Sequence, residues 1–111
     1  MKRMLDFLTV VAKRPGMYLG PLTYMSVWTF LFGLKTGYGL SGIEEYSSEH
    51  YLAAAESRGW NPRGNIGILR DFTRKGLSEE EMAHELIAVE IEAYQRAMQD
   101  REARSQRKSK S

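Results

Sequence analysis

A chain of 111 residues, of which 42% are hydrophobic and 27% are charged, has the size and composition of a single globular domain. That length excludes an enzyme built from a cofactor domain and a separate substrate domain, and the absence of cysteine excludes disulfide bonds, thiolate zinc sites and cysteine nucleophiles. The formal net charge is +2 and no apolar run reaches the about 20 residues of a membrane helix, so we expect a cytoplasmic protein without membrane contacts.

The first predicted helix spans residues 2–12. Its apolar residues at helical spacing are Met4, Leu5, Leu8 and Val11. Because Pro15 disfavours the α conformation at Arg14, the helix is expected to end by Lys13.

The segment RPGMYLG, residues 14–20, follows this helix. Its proline and two glycines predict a turn in which Met17, Tyr18 and Leu19 pack inward. In the alternative interpretation Arg14 and Tyr18 form a surface hot spot, because arginine and tyrosine are favoured at protein interfaces.

A second helix is predicted from a cap at Thr23 or Ser26 to about Lys35. Its residues are apolar almost all round, which is typical of a central helix. A buried strand is the alternative, since aromatic and β-branched residues also suit sheets. Four glycines between Gly33 and Gly42 predict a loop after this element.

Two shorter helices are predicted next. Ser47 or Ser48 caps a third helix that ends at Gly59. The apolar residues of 66–72 form a fourth helix, closed by Gly76.

The clearest helix starts at Ser78, which forms with Glu81 the capping-box pattern Ser-x-x-Glu. Residues 100–111 carry five cations and no apolar residue except Ala103, so they are expected to be disordered. The sequence thus predicts an all-α fold: one compact domain of four to five helices over residues 1–99, followed by a flexible basic tail over residues 100–111.

Candidate chemistry in this sequence is sparse. His50 and His84 are the only histidines and lie too far apart for a metal site, so we expect ordinary surface histidines. The carboxylates from Glu79 to Glu92 are expected to form a solvated face, or alternatively an acidic surface that docks a basic partner. We predict no catalytic, cofactor-binding or metal-binding residues. The candidate partner-binding residues are Arg14, Tyr18, Tyr38, Trp60, Glu80, Glu81 and Glu85.

The RPGMYLG segment resembles RPGMYIG, a segment near the N-terminus of the ATPase subunits of type II topoisomerases. Leu8, Val11 and Lys13 match the L-x-x-V-x-K stretch that precedes it in that family. There, the next helix supplies a catalytic glutamate and a magnesium-binding asparagine. The corresponding stretch here, YMSVWTFLFGLK, contains neither residue, so the resemblance implies no ATP hydrolysis.

The same segment is also similar to the opening of small uncharacterised bacterial proteins of about this length, which carry R-P-x-M-Y-L-G. Phe30–Leu34, SRGW at residues 57–60 and the Glu-rich residues 77–94 match their later parts. Some of these proteins resemble immunity proteins that neutralise toxins. This resemblance implies a non-enzymatic module that binds and occludes a partner protein, such as a basic toxin domain.

A nucleic-acid-associated factor is the alternative function. It would use the basic residues of 58–75 and 101–110 to contact phosphate groups. The basic tail lacks the interleaved aromatic residues that stack on bases, so this function is the less favoured of the two.

Overall fold

The architecture is helical throughout the computed structural model, which describes residues 2–20, 22–40, 46–63 and 67–109. Those residues form six α-helices and no strand, which confirms the predicted all-α fold and exceeds the predicted number of helices by one. The helices are α1 (Lys2–Lys13), α2 (Pro15–Leu19), α3 (Tyr24–Leu40), α4 (Ser48–Ser57), α5 (Ile68–Arg74) and α6 (Glu79–Ser109).

The core forms around α6, against which α1, α3 and α4 all pack. Buried side chains recur along α6 at intervals of three and four residues, as expected for one face of a helix. They are Met82, Ala83, Leu86, Ile87, Val89, Ala93, Tyr94 and Ala97. The other helices bury Met4, Leu8, Val11, Val27, Leu31, Ala54, Ala55, Ile68 and Phe72 against this stripe.

Side-chain caps fix where three helices begin. The Ser78 hydroxyl accepts the Glu81 N–H at 3.1 Å, and the Ser78 N–H donates to Glu81 Oε1 at 2.9 Å, so the predicted capping box is formed. Ser47 caps α4, as predicted, with His50 as the reciprocal acceptor. Thr23 and Ser26 exchange backbone-to-hydroxyl bonds of 3.1 Å at the start of α3.

The RPGMYLG segment is a short helix rather than a turn. Pro15 is the first residue of α2. The first N–H groups of a helix have no carbonyl partner within it, so the missing N–H of proline costs no hydrogen bond there. Leu19 packs against the core, but Met17 is 71% exposed and Tyr18 is 46% exposed. The prediction that all three residues pack inward is therefore wrong for Met17 and Tyr18, because a helix of five residues offers only a narrow inner face.

Helix α3 is longer and more peripheral than predicted. It continues through Leu40, so the predicted loop is wrong over residues 33–40, and the rest of that loop, residues 41–45, lies outside the described residues. Glycine lowers helix stability by about 1 kcal/mol per residue but does not forbid a helix. Lys35, within the glycine-rich part, bonds to a residue of α6 and so holds this stretch against the core.

The predicted flexible tail begins inside α6, which continues to Ser109. No proline or glycine interrupts residues 79–109, and Asp100 is held by the His50 ring on α4, with 2.6 Å between Nε2 and Oδ2. At about 1.5 Å per residue a helix of this length reaches about 46 Å, close to the 50 Å long axis of the molecule. Helix α6 therefore runs the length of the fold.

No helix within the described ranges is both long enough and apolar enough to cross a membrane.

The glycines of α3 and of the α5–α6 turn provide a test of this architecture. Gly37 lies in α3 with no atom near an added Cβ, so Gly37→Ala is expected to stabilise the protein by about 0.5–1 kcal/mol in urea unfolding. Gly76 has an equally open site but a φ of 72°, so Gly76→Ala is the matched control and is expected to destabilise by about 1 kcal/mol. A loss of stability in Gly37→Ala would contradict the continuation of α3.

Candidate functional site

A buried carboxylate lies within the apolar stripe of α6. Among the described residues Glu90 is the one charged side chain that is buried, with 4% of its surface exposed. Its Oε1 accepts hydrogen bonds from the Tyr46 hydroxyl at 2.6 Å and from Lys35 Nζ at 3.2 Å. Lys35 Nζ also donates to the Tyr46 hydroxyl at 2.8 Å. These three residues form one connected set of hydrogen bonds, called the Glu90 cluster below.

Helical spacing brings Lys35 and Glu90 face to face. Lys35 lies four residues after Leu31 and eight after Val27, on the face of α3 that packs against α6. Glu90 lies four residues after Leu86 on the buried face of α6. Sequence analysis missed this pair because it assigned the α6 carboxylates to a solvated face. The signal that could have found it was a charged residue at a core position of each apolar stripe.

The phenols beside Glu90 stay protonated. Burial, and then the Glu90 carboxylate, raises the pKa of Tyr46 far above its ordinary value. The same two causes, burial first, raise the pKa of Tyr51 to about 12. The Lys35 ammonium lies 5.2 Å from the ring centroid of Tyr46 and 5.9 Å from that of Tyr51, within cation–π distance. Tyr46 and Tyr51 are therefore hydrogen-bond donors near neutral pH, and neither can serve as a general base there.

The second carboxylate oxygen of Glu90 lacks a hydrogen-bond partner among the described residues. This atom, Oε2, is buried, whereas Oε1 accepts both bonds of the cluster. An unsatisfied buried acceptor costs about 1–3 kcal/mol, so it marks a position where a donor group would be stabilising.

A cavity of about 350 Å³ opens beside the Glu90 cluster, between α3 and the start of α4. Its polar lining consists of the three cluster residues and Ser48. Apolar and aromatic side chains form the remaining walls: Trp28, Leu31, Phe32, Tyr51 and Leu86. A mostly apolar space with a few converging polar groups is the usual composition of a small-ligand site.

Helices α1 and α2 present a second candidate site on the outside of the fold. Phe7 is 39% exposed and Val10 is 50% exposed, and the rings of Phe7 and Tyr18 meet edge to face with centroids 6.2 Å apart. A cavity of about 250 Å³ lies between the two helices. We call this region the α1–α2 surface and define it as Phe7, Val10, Lys13, Arg14, Met17 and Tyr18.

Two of the predicted partner-binding residues, Arg14 and Tyr18, lie together on the α1–α2 surface. Both are exposed and line the same cavity. Tyr38 belongs to α3, but its side chain lies outside the described residues.

Trp60 and Glu85, also predicted to bind a partner, contact each other. Trp60 Nε1 donates to Glu85 Oε2 at 2.9 Å, and its ring packs edge-on against Phe72 with centroids 4.8 Å apart. Arg58 donates to both oxygens of Glu85, from Nε at 2.9 Å and from Nη2 at 2.7 Å. The ammonium of Lys75 lies 4.4 Å from the Trp60 ring centroid. This cluster fastens the connection between α4 and α5 to α6.

The first turn of α6 holds the last two predicted residues, Glu80 and Glu81. Both are exposed. Glu81 caps its own helix, and the N–H of Ser78 lowers the pKa of the Glu81 carboxyl. Glu80 Oε1 lies 3.8 Å from His84 Nε2, one turn further along the same helix. Neither carboxylate lines the cavity that Arg14 and Tyr18 share.

The described residues bring no three histidine, aspartate or glutamate side chains together as metal ligands. His50 accepts the Ser47 N–H at Nδ1 and faces Asp100 through Nε2. The hydrogen bond from His50 lowers the pKa of the Asp100 carboxyl.

Comparison with family models, curated proteins and solved structures finds no match to this chain. The resemblances noted for residues 14–20 stay predictions. Functional inference therefore depends on two places in the fold: the Glu90 cluster with its cavity, and the α1–α2 surface.

Removing Lys35 tests the energetics of the Glu90 cluster. Lys35→Met leaves the Glu90 carboxylate buried beside a single donor, so we expect a loss of about 2 kcal/mol in the free energy of unfolding. The double variant Lys35→Met/Glu90→Leu also removes the unpaired Glu90 carboxylate, so it is expected to recover most of the lost free energy of unfolding. An exposed-lysine control, Lys13→Met, should change stability by no more than about 0.5 kcal/mol. Equal effects of Lys35→Met and Lys13→Met would show that the cluster is not formed.

The hydrogen bonds of Glu85 with Arg58 and Trp60 are expected to make a pH-dependent contribution to the free energy of unfolding. Hydrogen bonds from Arg58 hold the pKa of Glu85 below its usual value. The contribution is therefore present above the unfolded-state pKa of about 4.3 and is lost as pH falls through the lower folded-state pKa. Thermal unfolding should show wild type more stable than Glu85→Gln at pH 7, with the difference shrinking below about pH 4. For Glu80→Gln, the exposed control on the same helix, a difference of similar size and pH dependence would contradict this assignment.

Proposed function

We propose that this chain is a non-enzymatic protein-binding module that docks a partner protein on the α1–α2 surface. The observation that carries this proposal is the exposure of large apolar side chains on two adjacent helices, with Met17 71% exposed and Tyr18 46% exposed. Contiguous exposed apolar residues on a small domain mark interaction sites more often than the scattered apolar residues of an ordinary surface do.

The composition of the α1–α2 surface supports a protein as its partner. Tyrosine, phenylalanine, methionine and arginine are the residue types enriched in protein interfaces, and all four occur here. The cavity between Val10, Met17 and Tyr18 gives a partner side chain a place to insert. Lys13 and Arg14 add two cations at its edge, which favours acidic groups at the corresponding place on the partner.

The protonated Tyr46 phenol in the Glu90 cluster is unsuited to act as a general base, which favours a non-enzymatic role. Tyr46 is held protonated, and the Glu90 carboxylate is paired with Lys35. An acid–base catalyst needs a group whose proton exchanges near the working pH, and the raised pKa of the Tyr46 phenol does not meet that requirement.

Occlusion of a toxin is a narrower proposal within the same class. It rests on the similarity of residues 14–20 to the small bacterial proteins described above and on the exposed carboxylates of Glu80 and Glu81. A basic toxin domain would meet those carboxylates, whereas its apolar anchor would meet the α1–α2 surface. Glu85 is unsuited to this role because Arg58 and Trp60 occupy both of its oxygens.

Nucleic-acid binding remains the second candidate because of one observation on α6. Arg101, Arg104 and Arg107 are exposed and recur every three residues on a helix, which places them on one side. In the other basic segment, residues 58–75, Arg58, Arg63 and Lys75 bond within the fold. Salt-dependent binding to DNA that disappears when residues 100–111 are removed would favour this candidate.

A pull-down from cells of the native host tests the proposed docking surface. We expect wild type to retain a partner that Tyr18→Ala and Met17→Glu lose, with at least about a 30-fold weaker affinity for Tyr18→Ala, the size of a typical hot spot. The melting temperature of both variants should match wild type, because neither side chain belongs to the core. Ser105→Ala is the exposed control and should retain the partner.

Two results would contradict this assignment. The first is a partner retained equally by wild type and Met17→Glu. The second is a partner lost on Glu80→Lys but retained by Tyr18→Ala, which would move the docking surface to the start of α6.

A further inference from the structure

The cavity beside the Glu90 cluster lies apart from the α1–α2 surface and has the size of a small-molecule site. Its volume is about 350 Å³, and none of its lining residues belongs to the α1–α2 surface. An apolar cavity of about 150 Å³ is large enough to hold benzene. The cavity therefore has room for a single aromatic ring with substituents.

The outer wall of this cavity is built from aromatic side chains that can receive a ring. Trp28 and Phe32 stack with centroids 5.2 Å apart and an interplanar angle of 9°. Trp28 is 44% exposed and Phe32 is 56% exposed, so solvent rather than protein covers much of both rings. An aromatic ligand would bury this exposed area and gain ring contacts.

The inner wall offers a donor and an acceptor to a ligand hydroxyl. Lys35 Nζ uses two of its three N–H groups on Tyr46 and Glu90, among the described contacts. Glu90 Oε2 is a buried acceptor with no donor among the described residues. One hydroxyl group could accept from the first and donate to the second.

The hydroxyl of Tyr46 shows that Lys35 and Glu90 can hold a phenol by two hydrogen bonds. Its hydroxyl accepts from Lys35 Nζ at 2.8 Å and donates to Glu90 Oε1 at 2.6 Å. A second phenol would repeat that arrangement with the remaining Lys35 hydrogen and with Oε2. Because Oε2 is closed to solvent in the unliganded chain, side chains around it must shift for the ligand hydroxyl to reach it.

Charge disfavours other head groups at this position. A carboxylate ligand would lie beside the Glu90 carboxylate, and an ammonium ligand would lie beside the Lys35 ammonium, so each would meet repulsion in a partly buried site. A hydroxyl group brings no net charge and satisfies both partners.

We infer that the cavity between α3, α4 and α6 binds a phenol ring, held by its hydroxyl between Lys35 and Glu90 and by its ring against Trp28 and Phe32. The phenol could belong to a free aromatic compound or to a tyrosine side chain presented by another protein. The recognition chemistry is the same for both sources.

Two-dimensional amide NMR of the full chain, titrated with 4-methylphenol, tests this inference. We expect saturable shifts at Lys35, Ser48 and Leu86, with at least about tenfold weaker binding of 4-methylanisole, which accepts but cannot donate, and of toluene. N-acetyltyrosinamide distinguishes the sources: binding by it as well as by 4-methylphenol indicates that the cavity admits a presented tyrosine, and binding by 4-methylphenol alone indicates a free compound. Both results support the phenol site.

Two variants test whether 4-methylphenol binds in this cavity rather than elsewhere on the protein. Trp28→Ala removes an exposed wall residue and should weaken 4-methylphenol at least about fivefold, whereas Tyr18→Ala, an exposed aromatic residue outside the cavity, should leave it unchanged. Equal affinities for 4-methylphenol, 4-methylanisole and toluene would overturn the inference, as would shifts confined to α1 and α2. The absence of saturable shifts with 4-methylphenol would overturn it as well. None of these outcomes depends on whether a protein partner docks on the α1–α2 surface.

Discussion

The packing of three helices against the single apolar stripe of α6 is the constraint on which the rest of the structure depends. Buried residues recur along α6 from Met82 to Ala97, and α1, α3 and α4 each cover part of that stripe. Burial of apolar area contributes about 25 cal/mol per Å², so the side chains that meet on this shared stripe stabilise the fold. The capping box of Ser78 and Glu81 fixes where α6 begins, one turn before the first buried residue of the stripe.

Because α1, α3 and α4 each pack on α6 with one face, their opposite faces stay uncovered. Helix α3 is apolar almost all round, yet only one face meets α6, so Met25, Trp28 and Phe32 remain exposed. Helices α1 and α2 likewise expose Phe7, Val10, Met17 and Tyr18. Both candidate sites include apolar and aromatic side chains that the core leaves exposed, Met17 and Tyr18 in one and Trp28 and Phe32 in the other.

Local sequence patterns predicted the helix ends that depend only on neighbouring residues. The end of α1 before Pro15, the start of α4 at Ser47 and the capping box of α6 were all predicted correctly, since each depends on neighbouring residues alone. The extension of α3 past Gly33 could not be predicted from glycine content, because Lys35 is held by Glu90, 55 residues away. The Glu90 cluster was missed because all the α6 carboxylates were assigned to a solvated face, although Glu90 occupies a core position of the helical pattern. Arg14 and Tyr18 were identified as surface candidates.

Native-state amide hydrogen exchange tests the central role of α6 most directly. If α6 is the helix on which the others depend for their packing, its amides between Leu86 and Ala97 exchange most slowly, at a rate set by global unfolding. The amides of α2 and of residues 100–109 then exchange faster, through local opening. In that case α1, α3 and α4 can each open without releasing α6, and their protection is equal to or lower than that of α6. Exchange of the α6 amides as fast as those of α2, or α3 protected while α6 is open, would contradict the account.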